Sequence, residues 1–195
     1  MTTKAKVVIG ITFLAYFLFP RVQDEQVVCE SNVLGGLSAK EILNGPEYEM
    51  FLGVVTAFGR NRNTSPRLYF VPGPGNSFYI PGSVFVDGRG KILMSRTFVS
   101  LMGDTPALKG VMAHEMAHLA VDTWGNKRCA LKAYGDPREE QAADALAAHK
   151  VGFDPVRAFF LRIEEVTGAK HGESAARLQE LEKIEALEAQ DKGQR

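Results

Sequence analysis

Apolar and polar positions alternate with two different periods along this chain. From Glu47 to Phe58 the apolar residues recur at helical spacing, with Met50, Phe51, Val54 and Val55 on one stripe. Gly45 and Pro46 separate that helix from a shorter segment, Ser38 to Leu43, which also reads as helix. Between Arg67 and Arg96 the pattern shortens. Leu68 to Val71, Ser77 to Ile80, Ser83 to Val86 and Ile92 to Ser95 are runs of branched and aromatic residues punctuated by Gly and Pro, the pattern of a small, turn-rich sheet. Helical spacing then returns over Arg96 to Met102 and dominates the C-terminal half of the chain. Thr105 and Pro106 make a cap and first turn for a helix carrying Leu108, Val111, Met112, Glu115 and Leu119, with a stop near Trp124-Gly125. Asp136-Pro137 opens another helix that continues to about Lys150, Gly152 breaks it, and Asp154-Pro155 opens a further one through Phe159 and Ile163. The last helix, Glu173 to Gln190, is mixed in charge, with Leu178, Leu181, Ile184 and Leu187 on one side. These elements predict an α+β domain, mainly helical, over residues 23–190. Residues 191–195 read as a polar tail.

Composition narrows the function classes. The chain has 195 residues, enough for one domain with a substantial core. Lys plus Arg and Asp plus Glu are each 23, so no basic excess points to nucleic acid. Near the start, Lys4 and Lys6 precede an apolar run from Val7 to Phe19, closed by Pro20-Arg21. The run is shorter than the ~17–20 residues that a spanning helix needs. A basic flank and short apolar core make residues 1–22 a signal peptide or short membrane anchor, with a buried N-terminal element as the alternative. The protein is then expected outside the cytoplasm, periplasmic or otherwise exported, with membrane association through residues 4–22. Cys29 and Cys129 form a disulfide in an oxidising compartment or stand as two free thiols, and spacing does not choose between them.

The chemistry concentrates in His114-Glu115-Met116-Ala117-His118, an H-E-x-x-H pattern inside a predicted helix. Spacing of four puts both imidazoles on one face, one turn apart, where two nitrogens suit one tetrahedral zinc. Glu115 adjoins the first ligand, in reach of a water at the metal, as a general base requires. A catalytic zinc needs a third protein ligand and one open position. The helix after Asp136 offers Glu139, Glu140 and Asp144. Glu139 occupies the capping-box position relative to Asp136, which leaves Glu140 free. Asp144, one turn further on, is placed to accept a hydrogen bond from the outer N–H of a ligand histidine. His149, nine residues beyond Glu140, points to the opposite face and reads as a surface residue.

Four stretches carry a family likeness. Val111 to His118 is similar to the active-site helix of the HtpX-like and CAAX-prenyl-endopeptidase group of zinc metallopeptidases, the gluzincins of peptidase family forty-eight. Glu140-Gln141-Ala142-Ala143-Asp144 resembles that group's E-x-x-A-D segment, whose glutamate is the third ligand. Gly152-Phe153-Asp154-Pro155 and Asn76-Ser77-Phe78 resemble its G-Y-D-P and N-A-F stretches. The resemblance spans roughly residues 45–180 and implies a zincin-like fold, one zinc ion per chain, polypeptide substrates and a role in envelope protein quality control. It also implies that His171 approaches the metal or substrate and that Arg177, six positions on, supports the site, although the proline usual after that histidine is Gly172 here. A cation near the metal helps neutralise an oxyanion. An extended peptide is expected to add to a sheet edge near Gly75 to Tyr79. The rival class is a latent or non-catalytic zinc protein that holds clients, its fourth position closed by Cys129 or gated by His171. Glu115 speaks against that rival, because a purely structural zinc site has no use for a base beside its ligands.

Overall fold

A computed structural model describes residues 40–61, 65–71, 82–86, 89–103, 105–120, 137–167 and 172–193. In chain order its elements are β1 (Lys40–Glu41), α1 (Pro46–Ala57), β2 (Arg67–Val71), β3 (Gly82–Val86), β4 (Arg89–Ser95), α2 (Arg96–Met102), α3 (Thr105–Ala120), α4 (Pro137–Val151), α5 (Phe153–Thr167) and α6 (Gly172–Gly193). The sheet order is β1-β2-β4-β3, with β2 and β4 parallel and the other two pairings antiparallel. This is a mainly helical α+β domain with the zincin-like layout expected, a small sheet beside the helix that bears the H-E-x-x-H residues.

The sheet's period of two explains its core face. Leu68 pairs with Ile92 and Phe70 with Met94, and side chains paired in register share a face. All four are buried in one cluster with Phe51 and Val54 of α1, Phe98 of α2, Met112 and Met116 of α3, and Phe160 of α5. Burying apolar area of this extent at about 25 cal/mol per Å² is the main force holding the layers together. Helix α3 runs through the middle, and every residue from Val111 to Ala117 is buried. Polar His114 and Glu115 are therefore enclosed, and their placement has to be compensated by partners from other elements.

Two glycines set how closely α3 packs. A Cβ on Gly110 would lie 2.1 Å from the Pro155 carbonyl oxygen, so α3 and the start of α5 cross almost backbone to backbone. A Cβ on Gly90 would lie 2.5 Å from Leu119 Cδ1, so β4 meets the Leu119 side chain near the end of α3. Elsewhere Arg60 Nη2 donates to the Leu119 carbonyl at 3.3 Å, and Arg162 Nε to the Leu101 carbonyl at 2.8 Å, tying the ends of α3 and α2 to distant chain. Gly152, at φ 96°, closes α4 by donating its N–H to the Ala148 carbonyl at 2.8 Å and turns the chain into α5.

Three expectations change. The sequence pattern predicts helix over Ser38 to Leu43, but Lys40–Glu41 is a strand antiparallel to β2, continued by a bond from Ile42 N–H to the Leu68 carbonyl at 2.9 Å. A segment this short cannot recover the cost of helix nucleation, whereas pairing with β2 buries Ile42 at once and leaves Leu43 exposed. Strand β4 starts at Arg89 rather than Ile92. Gly90 reads as a turn residue but serves the close approach of Leu119. Helix α6 runs to Gly193, past the expected helix end at Gln190, and its apolar stripe ends early, since Leu181 is buried while Leu187 is exposed. Residues 1–22, Cys29, Cys129, the strand at Ser77 to Ile80 with the Gly75–Tyr79 edge, and the helix stop at Trp124-Gly125 lie outside the described residues. Among the described residues no helix is long and apolar enough to cross a membrane.

The packing predicts opposite outcomes for two Gly→Ala changes in helices. Gly53, with nothing within 4 Å of an added Cβ, should gain about 0.5–1 kcal/mol from helix propensity. Gly110 has the same propensity gain, but the clash with Pro155 outweighs it, and Gly110→Ala should lose about 3 kcal/mol, a fall in Tm of roughly 6–12 °C. Thermal melts of the two variants check this; a Gly110→Ala protein as stable as Gly53→Ala would contradict the close crossing.

Candidate metal centre

His114 and His118 project from one face of α3, one turn apart. Glu140 and Asp144 project likewise from α4, whose buried Ala143, Ala147 and Ala148 take little room at the α3 interface. The four polar side chains meet between the helices. His114 Nε2 lies 3.0 Å from His118 Nε2 and 3.2 Å from Glu140 Oε2, and His118 Nε2 lies 3.4 Å from Glu140 Oε1. Ligands at 2.0–2.1 Å around a tetrahedral zinc are about 3.3 Å apart. The two nitrogens, and the Glu140 carboxylate with one oxygen toward each, therefore stand close to the separation of neighbouring ligands on such an ion. Among the described residues they form the one His/Cys/Asp/Glu group able to hold a metal ion. Two imidazole nitrogens facing one another at this distance need a proton or a metal ion between them, and two nitrogens with a carboxylate beside them are a donor set that suits zinc.

The other nitrogen of His114 is committed. Nδ1 is 2.8 Å from Asp144 Oδ1, and because an ionised carboxylate only accepts, the proton is assigned to Nδ1. That leaves Nε2 to face Glu140 and His118. Arg177 of α6 closes the rear of the cluster. Its Nε donates to Asp144 Oδ2 at 2.7 Å, its Nη2 to Asp144 Oδ1 at 2.8 Å, and its Nη1 lies 3.1 Å from Glu140 Oε2. One guanidinium thus spans the carboxylate that orients His114 and the carboxylate that faces both histidines.

The charge states are set by burial and these contacts. Burial alone would raise the pKa of Glu140, but hydrogen bonds from His114 and His118 and the charges of His114 and Arg177 hold it well below the usual carboxylate range. Asp144 is lowered in the same way, against the effect of burial, by His114 and Arg177. Burial would lower His114, but its bonds to Asp144 and Glu140 and the nearby Glu115 charge outweigh that and raise it from 6.5 to about 9. Glu115, Glu140 and Asp144 carry formal negative charge against the positive charge of Arg177. A divalent cation offsets the remainder, and without one a proton on His114 does so in part.

Of the residues singled out in the sequence, His114, His118 and Glu140 come together, Asp144 bonds to His114, and Glu115 is buried on the same helix with its charge felt by His114. Arg177 reaches the ligand-side carboxylates, so its guanidinium is turned toward Asp144 and Glu140. His171 and Cys129 lie outside the described residues. His149 is exposed, 3.3 Å from Glu188. Two further residues border the site without a sequence motif to mark them. The Phe159 ring lies 6.3 Å from the His114 ring, and the Phe160 ring lies 4.9 Å from Arg177 Cζ. Their only sequence signal is two adjacent aromatics on a helix, which more often marks core.

Residues 78–129 match the model of peptidase family M48. The match takes in His114 to His118 and stops short of Glu140, Asp144 and Arg177, which the fold alone brings to the same place. Over that stretch the chain is similar to the M48 peptidases. No curated protein matches the chain.

Because metal-free His114 holds its proton up to about pH 9, zinc can bind Nε2 only by displacing it. At pH 7.5 zinc uptake should release about one proton from His114, and affinity should fall by up to about tenfold for each unit of pH below 9. Calorimetry in two buffers of different ionisation enthalpy measures the release. Uptake with no proton released and no pH dependence between 6.5 and 8.5 would contradict the assignment.

Proposed function

We propose that this protein is a zinc-dependent endopeptidase. The observation that carries the reading is the coincidence of a His114, His118 and Glu140 cluster able to hold one ion with a buried carboxylate, Glu115, on the residue next to the first of them. His114, His118 and Glu140 would hold the ion. Bound there, zinc supplies Lewis acidity, polarising a peptide carbonyl and acidifying a water molecule. Glu115 accepts the proton of the attacking water and passes it to the leaving amine, the work of a general base followed by a general acid. Asp144 fixes the tautomer of His114 so that Nε2 faces the ion. Arg177 is a positioning residue, since its nitrogens are directed to Asp144 and Glu140. Three protein ligands among the described residues would leave a fourth position for water or substrate, as in catalytic zinc sites.

The finer likeness to HtpX-like and CAAX-prenyl endopeptidases is supported by the Glu140 to Asp144 and Gly152 to Pro155 stretches. Polypeptide substrates, damaged or misfolded proteins at a cell envelope among them, fit that likeness. The basic flank and apolar run of residues 4–22 support export or tethering there.

Casein cleavage by the full chain and by Glu115→Gln, at matched zinc content, tests the proposal. Loss of the base should lower turnover about 10²–10⁴-fold without loss of zinc. Zinc bound by both proteins and casein cut by neither would make this a zinc-holding binder, and a Glu115→Gln protein of undiminished activity would remove Glu115 from the chemistry.

A further inference from the structure

Phe160 lies on α5, is 2 % exposed, and belongs to the apolar core. Its ring does more than fill space. Arg177 Cζ sits 4.9 Å from the ring centroid, within the range of a cation–π contact, and the side chain of Arg177 is only 15 % exposed. Two carboxylates hold the guanidinium by its nitrogens, and the ring meets it from another helix. Both neighbours of the contact are fixed. Helix α5 is packed on α3 at backbone distance, because Gly110 admits the Pro155 carbonyl without room for even a methyl group. Helix α6 is anchored one turn after Arg177 by Leu181, 1 % exposed, and two turns after it by the pairing of Glu185 with Arg157 of α5. Phe159, beside Phe160 at 5.1 Å between centroids, packs toward His114 itself.

We infer that Phe160 is a positioning residue for the metal centre, acting through Arg177: its ring is the platform that holds the guanidinium where it can bind Asp144 and Glu140 together. This role rests on the zinc reading of the site. Four helices then contribute to one ligand set, α3 and α4 by direct ligands, α6 by Arg177 and α5 by the surface on which Arg177 rests. Without the ring the guanidinium keeps its charge but gains other orientations in the metal-free protein. Asp144 and Glu140 follow it, and zinc binding has to reorder all three. The loss appears in metal affinity, before any question of turnover.

The test is zinc affinity of the full-length protein, measured by competition with a chelating dye, for the parent, Phe160→Leu, Phe160→Tyr, Arg177→Met and the Phe160→Leu/Arg177→Met pair, each checked for folding by circular dichroism. Phe160→Leu keeps an apolar side chain and removes the aromatic face; it should bind zinc about three- to thirtyfold more weakly, the upper figure being the whole worth of a desolvated cation–π contact. Phe160→Tyr should recover affinity to within about threefold, since it keeps the ring. In the Arg177→Met background Phe160→Leu should change affinity less than about twofold, because the contact it removes is already gone. Undiminished affinity in Phe160→Leu, or an equal loss with and without Arg177, would overturn the inference while leaving the metal centre standing. A parent that binds no zinc would overturn the metal-centre reading and this inference with it. The tyrosine comparison and the Arg177→Met cycle each decide the matter alone if the other variant does not fold.

Discussion

The pairing of Arg177 with Asp144 and Glu140 is the interaction on which the rest of the site depends. Three carboxylates enclosed near two imidazoles cannot be left without positive charge in a medium that screens poorly. Arg177 meets part of that need permanently, and a metal ion, or a proton on His114, meets the remainder. The same guanidinium keeps Asp144 ionised and hence able to accept from His114 Nδ1, which turns Nε2 toward His118 and Glu140. Orientation, charge state and donor spacing are consequences of one buried network, and its members come from three helices far apart in sequence.

That network is possible because the helices pack closely. Gly110 lets α5 approach α3 at backbone distance, and Gly90 lets the sheet touch Leu119 at the other end of the same helix. Held on both sides, α3 offers its histidines at fixed height. Helix α4 faces it with alanines between the polar residues, so Glu140 and Asp144 reach across without large apolar side chains intervening. The core that stabilises the domain and the scaffold that aims the donors are therefore the same set of contacts.

Much of this is legible in the residues. Helical spacing alone puts His114 with His118, and Glu140 with Asp144, and the capping position of Glu139 singles out Glu140. Other features are illegible for physical reasons. Lys40–Glu41 is a strand because β2 offers it a partner, and no local preference reports a partner distant in sequence. Gly90 looks like a turn because glycine marks turns and close approaches alike. Phe160 looks like core, and it is core; its contact with Arg177 exists only once α5 and α6 are packed together. Family likeness points to Arg177, but the aim of its guanidinium toward the two carboxylates emerges only from the fold.

Zinc K-edge X-ray absorption on the zinc-loaded full-length protein tests the central claim most directly. An open site held by His114, His118 and Glu140 predicts a first shell of nitrogen and oxygen only, at about 2.0–2.1 Å, with imidazole scattering from two histidines and at least one exchangeable light-atom position. In Glu140→Ala one oxygen should leave that shell. A sulfur neighbour at about 2.3 Å, or a closed shell of four protein ligands, would contradict that site.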